Sequence, residues 1–136
     1  MIVVDTNVIA SCFIRVAESP RAREALERDT DWRVPPLWRS EFLSAARHAM
    51  ARDRVTPAKA GAAFEAALAL FAHRETVPGH RRVLRLVHAD PRLSSYDAEF
   101  LALAHQLGTR VLTQDVDFAK AGRAGVVLLG DYLDAR

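Results

Sequence analysis

The sequence predicts one α/β domain spanning residues 1–136, a three-layer α/β/α arrangement around a parallel sheet of about five strands. Short β-branched runs alternate with longer segments of helical periodicity along the chain. Strands that are separated by helices require crossover connections, and these produce a parallel sheet covered by helices. The length of 136 residues suits a single domain, and the hydrophobic content of 50% suits a packed core.

Five short segments have the composition of strands. Ile2-Val3-Val4 is wholly β-branched, which is typical of a buried central strand. Pro35-Pro36 ends the second strand, because proline has no backbone N–H for a sheet. The third strand is the weakest of the set, since Pro78-Gly79 follows it directly. The predicted strands are residues 2–4, 32–34, 75–77, 110–113 and 126–129.

Capping residues mark the ends of several predicted helices. Ser19-Pro20 and Thr56-Pro57 are N-cap and first-turn pairs. Ser94 or Ser95 caps a helix that ends near Leu107-Gly108. The predicted helices are residues 6–14, 20–28, 37–52, 57–72, 80–87, 95–107 and 115–121.

The composition permits a nucleic-acid partner without requiring one. Net charge is only +2, and every basic residue except Lys59 and Lys120 is arginine. The guanidinium group suits phosphate oxygens, although codon bias explains this preference equally well. Cys12 is the only cysteine and is expected in the core, beside Val8 and Ile9. With no signal peptide pattern and no long apolar run, the sequence predicts a cytoplasmic protein with no membrane segment.

Two aspartates follow predicted strands. Asp5 ends the first strand, and Asp115 comes two residues after the Val111–Thr113 run. Ligands of open α/β sheets bind outside the carboxyl ends of the strands, so both carboxylates are expected at the ligand-binding edge. Each has a simpler alternative, because Asp is common in loops and at helix starts.

Two further carboxylates lie on helix faces that are predicted to be buried. Glu41 falls within the stripe of Trp38, Phe42, Ala45 and Ala49, where a charge is costly unless it is paired or bound to metal. The alternatives are a salt bridge to an arginine or a place at the edge of the stripe.

Asp97 lies one turn before Phe100, on the predicted buried side of its helix. Its alternative is a stabilising place in the first turn of that helix. Four carboxylates that meet in one cleft repel each other and need cations, and their hard oxygen ligands favour Mg²⁺ or Mn²⁺ over zinc. The five histidines show no zinc-binding spacing.

These residues resemble a known family. Four stretches match, in order and spacing, the PIN-domain ribonucleases and among them the toxins of bacterial VapBC-type toxin–antitoxin pairs. The matching stretches are Val3-Val4-Asp5-Thr6-Asn7, Glu41, Ser95-Tyr96-Asp97-Ala98, and Leu112-Thr113-Gln114-Asp115 with Asp117-Phe118.

The resemblance implies a sheet in the order 3-2-1-4-5 and an Mg²⁺- or Mn²⁺-dependent endoribonuclease. The metal-binding, catalytic carboxylates are then Asp5, Glu41, Asp97 and Asp115, with Asp117 as a second candidate for the fourth position. Asn7 and Thr113 match supporting positions, although a helix-start Asn and a strand-end Thr are equally ordinary.

The family also implies a homodimer and a small antitoxin protein as partner. Arg39 and Arg47 flank Glu41 and are weak candidates for RNA binding, with a solvated helix face as the simpler interpretation. Two other functions remain open. Asp5 could be the nucleophile of a phosphohydrolase, although Asn7 stands where a second Asp is usual. The domain could also bind RNA or protein without catalysis.

Overall fold

The computed structural model describes residues 1–14, 20–52 and 55–135, and its centre is a parallel sheet of four strands. The strands are β1 (Ile2–Val4), β2 (Trp32–Arg33), β3 (Val111–Thr113) and β4 (Val126–Leu128). They lie in the order β2-β1-β3-β4, so the first strand is central, as its β-branched composition predicts. The predicted α/β class is confirmed.

Eight α-helices surround this sheet within the described residues. They are α1 (Thr6–Phe13), α2 (Pro20–Arg28), α3 (Trp38–Arg52), α4 (Pro57–Phe71), α5 (His80–Ala89), α6 (Ser95–Leu107), α7 (Val116–Gly122) and α8 (Leu129–Asp134). Helix α1 packs against α3 and α4, whereas α6 packs against β1 and β3. No helix in the parts of the chain described here is long and apolar enough to cross a membrane.

The predicted third strand is the main correction to the sheet. Residues 75–77 form no strand, and a single parallel bridge joins Glu75 to Val34 at the edge next to β2. The Thr76 N–H donates to the Val34 carbonyl at 3.0 Å, and the Val34 N–H donates to the Arg74 carbonyl at 3.3 Å. Pro35 and Pro78 follow the two bridged segments, and neither offers an N–H to extend a ladder. The bridge occupies the position that the predicted order gives to its third strand.

The helix caps agree closely with the sequence pattern. The Thr56 hydroxyl accepts from the Lys59 N–H at 3.2 Å, and Ser94, rather than Ser95, accepts from the Asp97 N–H at 3.0 Å. Gly108 ends α6 in the left-handed conformation with φ of 69°. The predicted cap at Ser19 lies outside the described residues.

Helix α8 was not predicted. It begins directly after β4, and it buries Leu129 and Leu133. With six residues, it is too short for helical periodicity to reveal it. It packs against α2, which is distant in the sequence.

An aromatic cluster fixes the position of α3 relative to α4. The Trp38 ring lies 4.9 Å from Phe71 and 5.6 Å from Phe64, measured between ring centroids, and 5.8 Å from Phe42 in an edge-on arrangement. Such contacts add to the burial of apolar area. Because Glu41 lies between Trp38 and Phe42 in the sequence, this packing determines where its carboxylate points. Cys12 is buried in the core, as predicted.

Candidate active site

Asp5 is the most buried carboxylate of the candidate site. It ends β1 and caps α1, with 7% of its surface exposed. One carboxylate oxygen, Oδ1, accepts from the Thr6 N–H at 2.8 Å, and Oδ2 accepts from the Thr113 hydroxyl at 2.7 Å. Burial raises the pKa of Asp5 to about 7, and the charges of Asp97 and Glu41 act in the same direction against these hydrogen bonds.

Thr113 links the loop after β1 to the loop after β3. Its side chain has 0% exposure, and its hydroxyl donates to Asp5. The same oxygen accepts from Asn7 Nδ2 at 3.3 Å and from the Asp115 N–H at 3.0 Å. Asn7 in turn accepts from the Gln114 N–H at 3.1 Å through Oδ1. The two predicted supporting residues, Asn7 and Thr113, therefore contact each other, and Thr113 also contacts Asp5.

Glu41 reaches the same region from α3. It is half-buried in the first turn of the helix, where Oε1 accepts from the Thr6 hydroxyl at 2.9 Å. Burial raises the pKa of Glu41, and the nearby charges of Asp97 and Glu99 raise it further against the Thr6 hydrogen bond. Glu41 lies at the edge of the buried stripe and forms no salt bridge with any described arginine.

Asp97 lies in the first turn of α6 and is half-buried. Burial raises its pKa, and the charge of Asp115 adds to this effect. The charge of Asp97 in turn raises the pKa values of Asp5 and Glu41. Asp97 also occupies the first turn of α6, where a negative charge stabilises the helix, as its simpler interpretation predicts.

Asp115 and Asp117 differ from the other carboxylates in being exposed. Asp115 caps α7, and its Oδ1 accepts from the N–H groups of Asp117 and Phe118 at 2.9 and 3.1 Å. Its Oδ2 has no hydrogen-bond partner among the described residues. Asp115 thus begins a helix, as its simpler interpretation predicts, and its charge raises the pKa of Asp97.

The group has an excess of negative charge. In the described parts of the chain, the salt bridges all involve other acidic residues. Three of the predicted carboxylates, Asp5, Glu41 and Asp97, have raised pKa values. Nevertheless, no three acidic, histidine or cysteine side chains of described residues are placed so that they could hold a metal ion together.

The predicted RNA-binding arginines are not part of this group. Arg39 pairs with Glu75, with 2.8 Å between guanidinium and carboxylate, and Arg47 is exposed further along α3. The five histidines are all exposed, as expected of surface residues.

Three polar residues of the site were missed from the sequence. Thr6 donates to Glu41, and only its place beside Asp5 could have indicated a role. Glu99 is half-buried, burial raises its pKa, and its charge acts on Glu41. Gln114 binds Ser11 and Asn7 across the loops, and its place between Thr113 and Asp115 was the available signal.

Comparison with known proteins identifies this arrangement. Residues 2–124 match the family model described as PIN domain. The chain belongs to the PIN-domain family. The resemblance seen in the four sequence stretches is therefore confirmed, and the match includes all of the candidate carboxylates.

Relatives of this PIN domain have been named as ribonucleases. VapC ribonuclease Mb0985 of Mycobacterium bovis and Ribonuclease VapC9 of Mycobacterium tuberculosis are each 32% identical to the chain over 124 residues. The alignment covers 91% of this PIN domain and 93% of each relative. The chain is thus similar to VapC proteins over nearly its whole length.

Proposed function

We propose that this PIN domain is a divalent-metal-dependent endoribonuclease and the toxin of a toxin–antitoxin pair. One observation carries the proposal. Asp5 is buried beside Glu41 and Asp97 without a cationic partner among the described residues, although an isolated charge at this depth is costly. A buried carboxylate group of this kind is expected where a cation belongs. The VapC relatives, named ribonucleases, supply the substrate class.

The donor atoms suit Mg²⁺ or Mn²⁺. They are all carboxylate oxygens, which are hard ligands, and no cysteine or histidine is among them. Asp5, Glu41, Asp97 and Asp115 would hold the ion, with Asp117 as a second candidate for the fourth position. No three of the described carboxylates are placed to hold an ion together, so binding would require some of these side chains to turn inwards.

A bound divalent cation would neutralise charge on the phosphodiester and lower the pKa of water. The protein's own contribution is to hold the ligands. Thr113 orients Asp5 by donating to Oδ2, and Thr6 orients Glu41 through its hydroxyl. Asn7 keeps the Thr113 hydroxyl pointing at Asp5, because its amide donates to the same oxygen. Such preorganisation limits the rearrangement needed when substrate binds.

The phosphohydrolase alternative is less well supported. A second Asp is usual two residues after such a nucleophile, but Asn7 stands there, where its amide hydrogen-bonds to Thr113 and Gln114. Trapping a phosphorylated Asp5 would restore this alternative. The other alternative, a domain that binds RNA or protein without catalysis, predicts no metal-dependent cleavage of RNA.

The partner assignments rest on the family. We propose a homodimer in the cytoplasm, inhibited by a small antitoxin protein encoded beside it. Expression of the chain alone should stop cell growth, and co-expression of the neighbouring reading frame should restore it. Unimpaired growth with abundant, folded protein would contradict the toxin assignment but leave the nuclease assignment standing.

The nuclease assignment is tested by cleavage of a single-stranded RNA with Mg²⁺, with Mn²⁺ and with EDTA. Cleavage should require the metal, and the products should carry 5′-phosphate and 3′-hydroxyl ends. Asp5→Asn and Glu41→Gln should each lower the rate by orders of magnitude, since both remove a negatively charged ligand.

Asp90→Asn is the matched control, because Asp90 pairs with Arg92 outside the site. This variant should cleave RNA at the rate of the unmodified protein. Equal cleavage by Asp5→Asn and Asp90→Asn would contradict the proposal.

A further inference from the structure

A cleft opens beside the candidate active site, between α1 and α3. Its volume is about 290 Å³, which is at the lower end of small-ligand sites. Asn7, Ser11 and Ile14 line one side of it at helical spacing along α1, and Ala45 and His48 line the other side along α3. Gln114, from the loop after β3, also lines the cleft.

The cleft lies next to the residues that position the carboxylates. Ala45 and His48 follow Glu41 by four and seven residues, so all three project from one side of α3. Asn7 belongs to both places, since it lines the cleft and its amide donates to the Thr113 hydroxyl that holds Asp5. A group bound in the cleft would therefore lie directly beside a phosphodiester at the carboxylates.

The described lining combines apolar and neutral polar groups with the exposed ring of His48. Apolar surface from Ala10, Ile14 and Ala45 is combined with the amides of Asn7 and Gln114 and the hydroxyl of Ser11. Gln114 Nε2 donates to Ser11 Oγ at 2.9 Å, while Gln114 Oε1 has no described donor. This oxygen is an available acceptor on an exposed side chain.

We infer that this cleft binds one unpaired nucleobase of the RNA, next to the phosphate that is cleaved. A base is flat and apolar on its faces and carries hydrogen-bonding groups on its edge, which matches this lining. Single-stranded RNA is read in this way, by stacking on rings that include histidine and by hydrogen bonds to base edges. The exposed His48 ring would stack on the base, and Gln114 Oε1 would accept from its amino group. Among the described residues, the lining offers neutral amide and hydroxyl groups and apolar surface, which suit the edge and faces of a base.

This inference rests on the proposed ribonuclease function and is tested by binding without cleavage. The probe is a fluorescent single-stranded RNA, compared with copies in which one nucleotide at a time lacks its base, all measured by anisotropy in EDTA. With the unmodified protein, one abasic position should weaken binding about fivefold or more, since stacking of a base contributes ~1–3 kcal/mol.

Two variants act on the cleft in opposite ways. His48→Ala removes the stacking ring, and Ala45→Phe fills the space. In both variants, the difference in Kd between the intact and the abasic RNA should disappear. His88→Ala is the matched control, because His88 is equally exposed but lies on α5, outside the cleft. This control should keep the difference.

The inference is overturned if no abasic position weakens binding, or if His48→Ala and Ala45→Phe keep the full difference. Loss of affinity for the antitoxin by Ala45→Phe, with RNA binding intact, would assign the cleft to the protein partner instead. RNA cleavage with Mg²⁺ on the same preparations separates the two proposals. Cleavage without an abasic effect removes only the base site, whereas no metal-dependent cleavage at all removes the ribonuclease function.

Discussion

At the scale of single residues, the balance at Asp5 determines much of the chemistry. Burial and the charges of Asp97 and Glu41 favour the protonated acid, whereas Thr113 and Thr6 stabilise the carboxylate by hydrogen bonds. The first effect is larger, so the pKa rises to about 7. A carboxyl group near half-ionisation at neutral pH can accept a cation by losing a proton, and binding is then sensitive to pH.

The first prediction follows from this pKa. Because the folded-state pKa of about 7 exceeds the ordinary 3.8, folding favours protonated Asp5. Protonated Asp5 therefore contributes roughly 2–4 kcal/mol to the free energy of unfolding. This contribution is fully present below about pH 4 and is lost as pH rises through about 7. Urea unfolding in EDTA should therefore show the unmodified protein losing stability relative to Asp5→Asn over this range. If the free energy of unfolding depended on pH in the same way in both proteins, the raised pKa of Asp5 would be contradicted.

The second prediction concerns Thr113. Its hydrogen bond lowers the pKa of Asp5, so Thr113→Val should move the midpoint of this pH dependence upwards. The variant should also lose roughly 1–3 kcal/mol of stability, because a buried polar group is left without its partner. Thr113→Ser keeps the hydroxyl and should return the midpoint to that of the unmodified protein, even though a buried methyl group is lost. An unchanged midpoint in the Val variant would show that the bond does not hold Asp5.

At the scale of elements, the site is assembled from the ends of strands and the first turns of helices. Asp5 and Asp115 cap α1 and α7, while Glu41 and Asp97 lie in the first turns of α3 and α6. Helix N-termini favour negative charge, so each carboxylate also stabilises the helix it begins. These positions concentrate acidic groups at one edge of the sheet with little loss of helix stability. The stability of the elements themselves depends on other residues.

The third prediction compares two glycines. Gly108 ends α6 with φ of 69°, a conformation in which a side chain is strained, so Gly108→Ala should cost about 1 kcal/mol. Gly61 lies inside α4, and an added Cβ there would meet nothing within 4 Å. Gly61→Ala should therefore stabilise the protein by about 0.5–1 kcal/mol. Urea unfolding at one pH measures both, and changes of the same sign would be inconsistent with these local conformations.

At the scale of the whole molecule, the fold joins segments that are far apart in the chain. The bond from Thr113 to Asp5 spans 108 residues, and that from Thr6 to Glu41 spans 35. Any ligand held by these groups is therefore bound only by the folded chain. Binding of the proposed cation should then be coupled to global unfolding.

The fourth prediction is a metal-dependent gain in stability. At a hundredfold excess of Mg²⁺ or Mn²⁺ over its Kd, the folded state should gain about 2.7 kcal/mol and the Tm should rise. Thermal melting at neutral pH, with EDTA as reference, measures the shift. Asp5→Asn should reduce it, whereas Asp90→Asn should leave it intact. The same Tm with and without millimolar metal would contradict a site for a divalent cation in the folded protein.

Local sequence patterns were sufficient to predict the features that depend on neighbours along the chain. The β-branched run of β1, the caps at Thr56 and Ser94 and the end of α6 at Gly108 appear where local patterns predict them. The positions of Asp5 and Asp115 at strand ends were predictable for the same reason. The spacing of the acidic motifs was enough to identify the family.

Local patterns could not predict how these features meet in the folded chain. Contacts such as those from Thr6 to Glu41 and from Thr113 to Asp5 depend on how helices and strands pack, and no periodicity encodes them. Tertiary packing also accounts for α8, which packs against α2, a helix distant in the sequence. It likewise accounts for the single bridge from Val34 to Glu75, which forms where a third strand was predicted. The pKa of Asp5 is decided at this level too, because burial and charges from other elements outweigh its own hydrogen bonds.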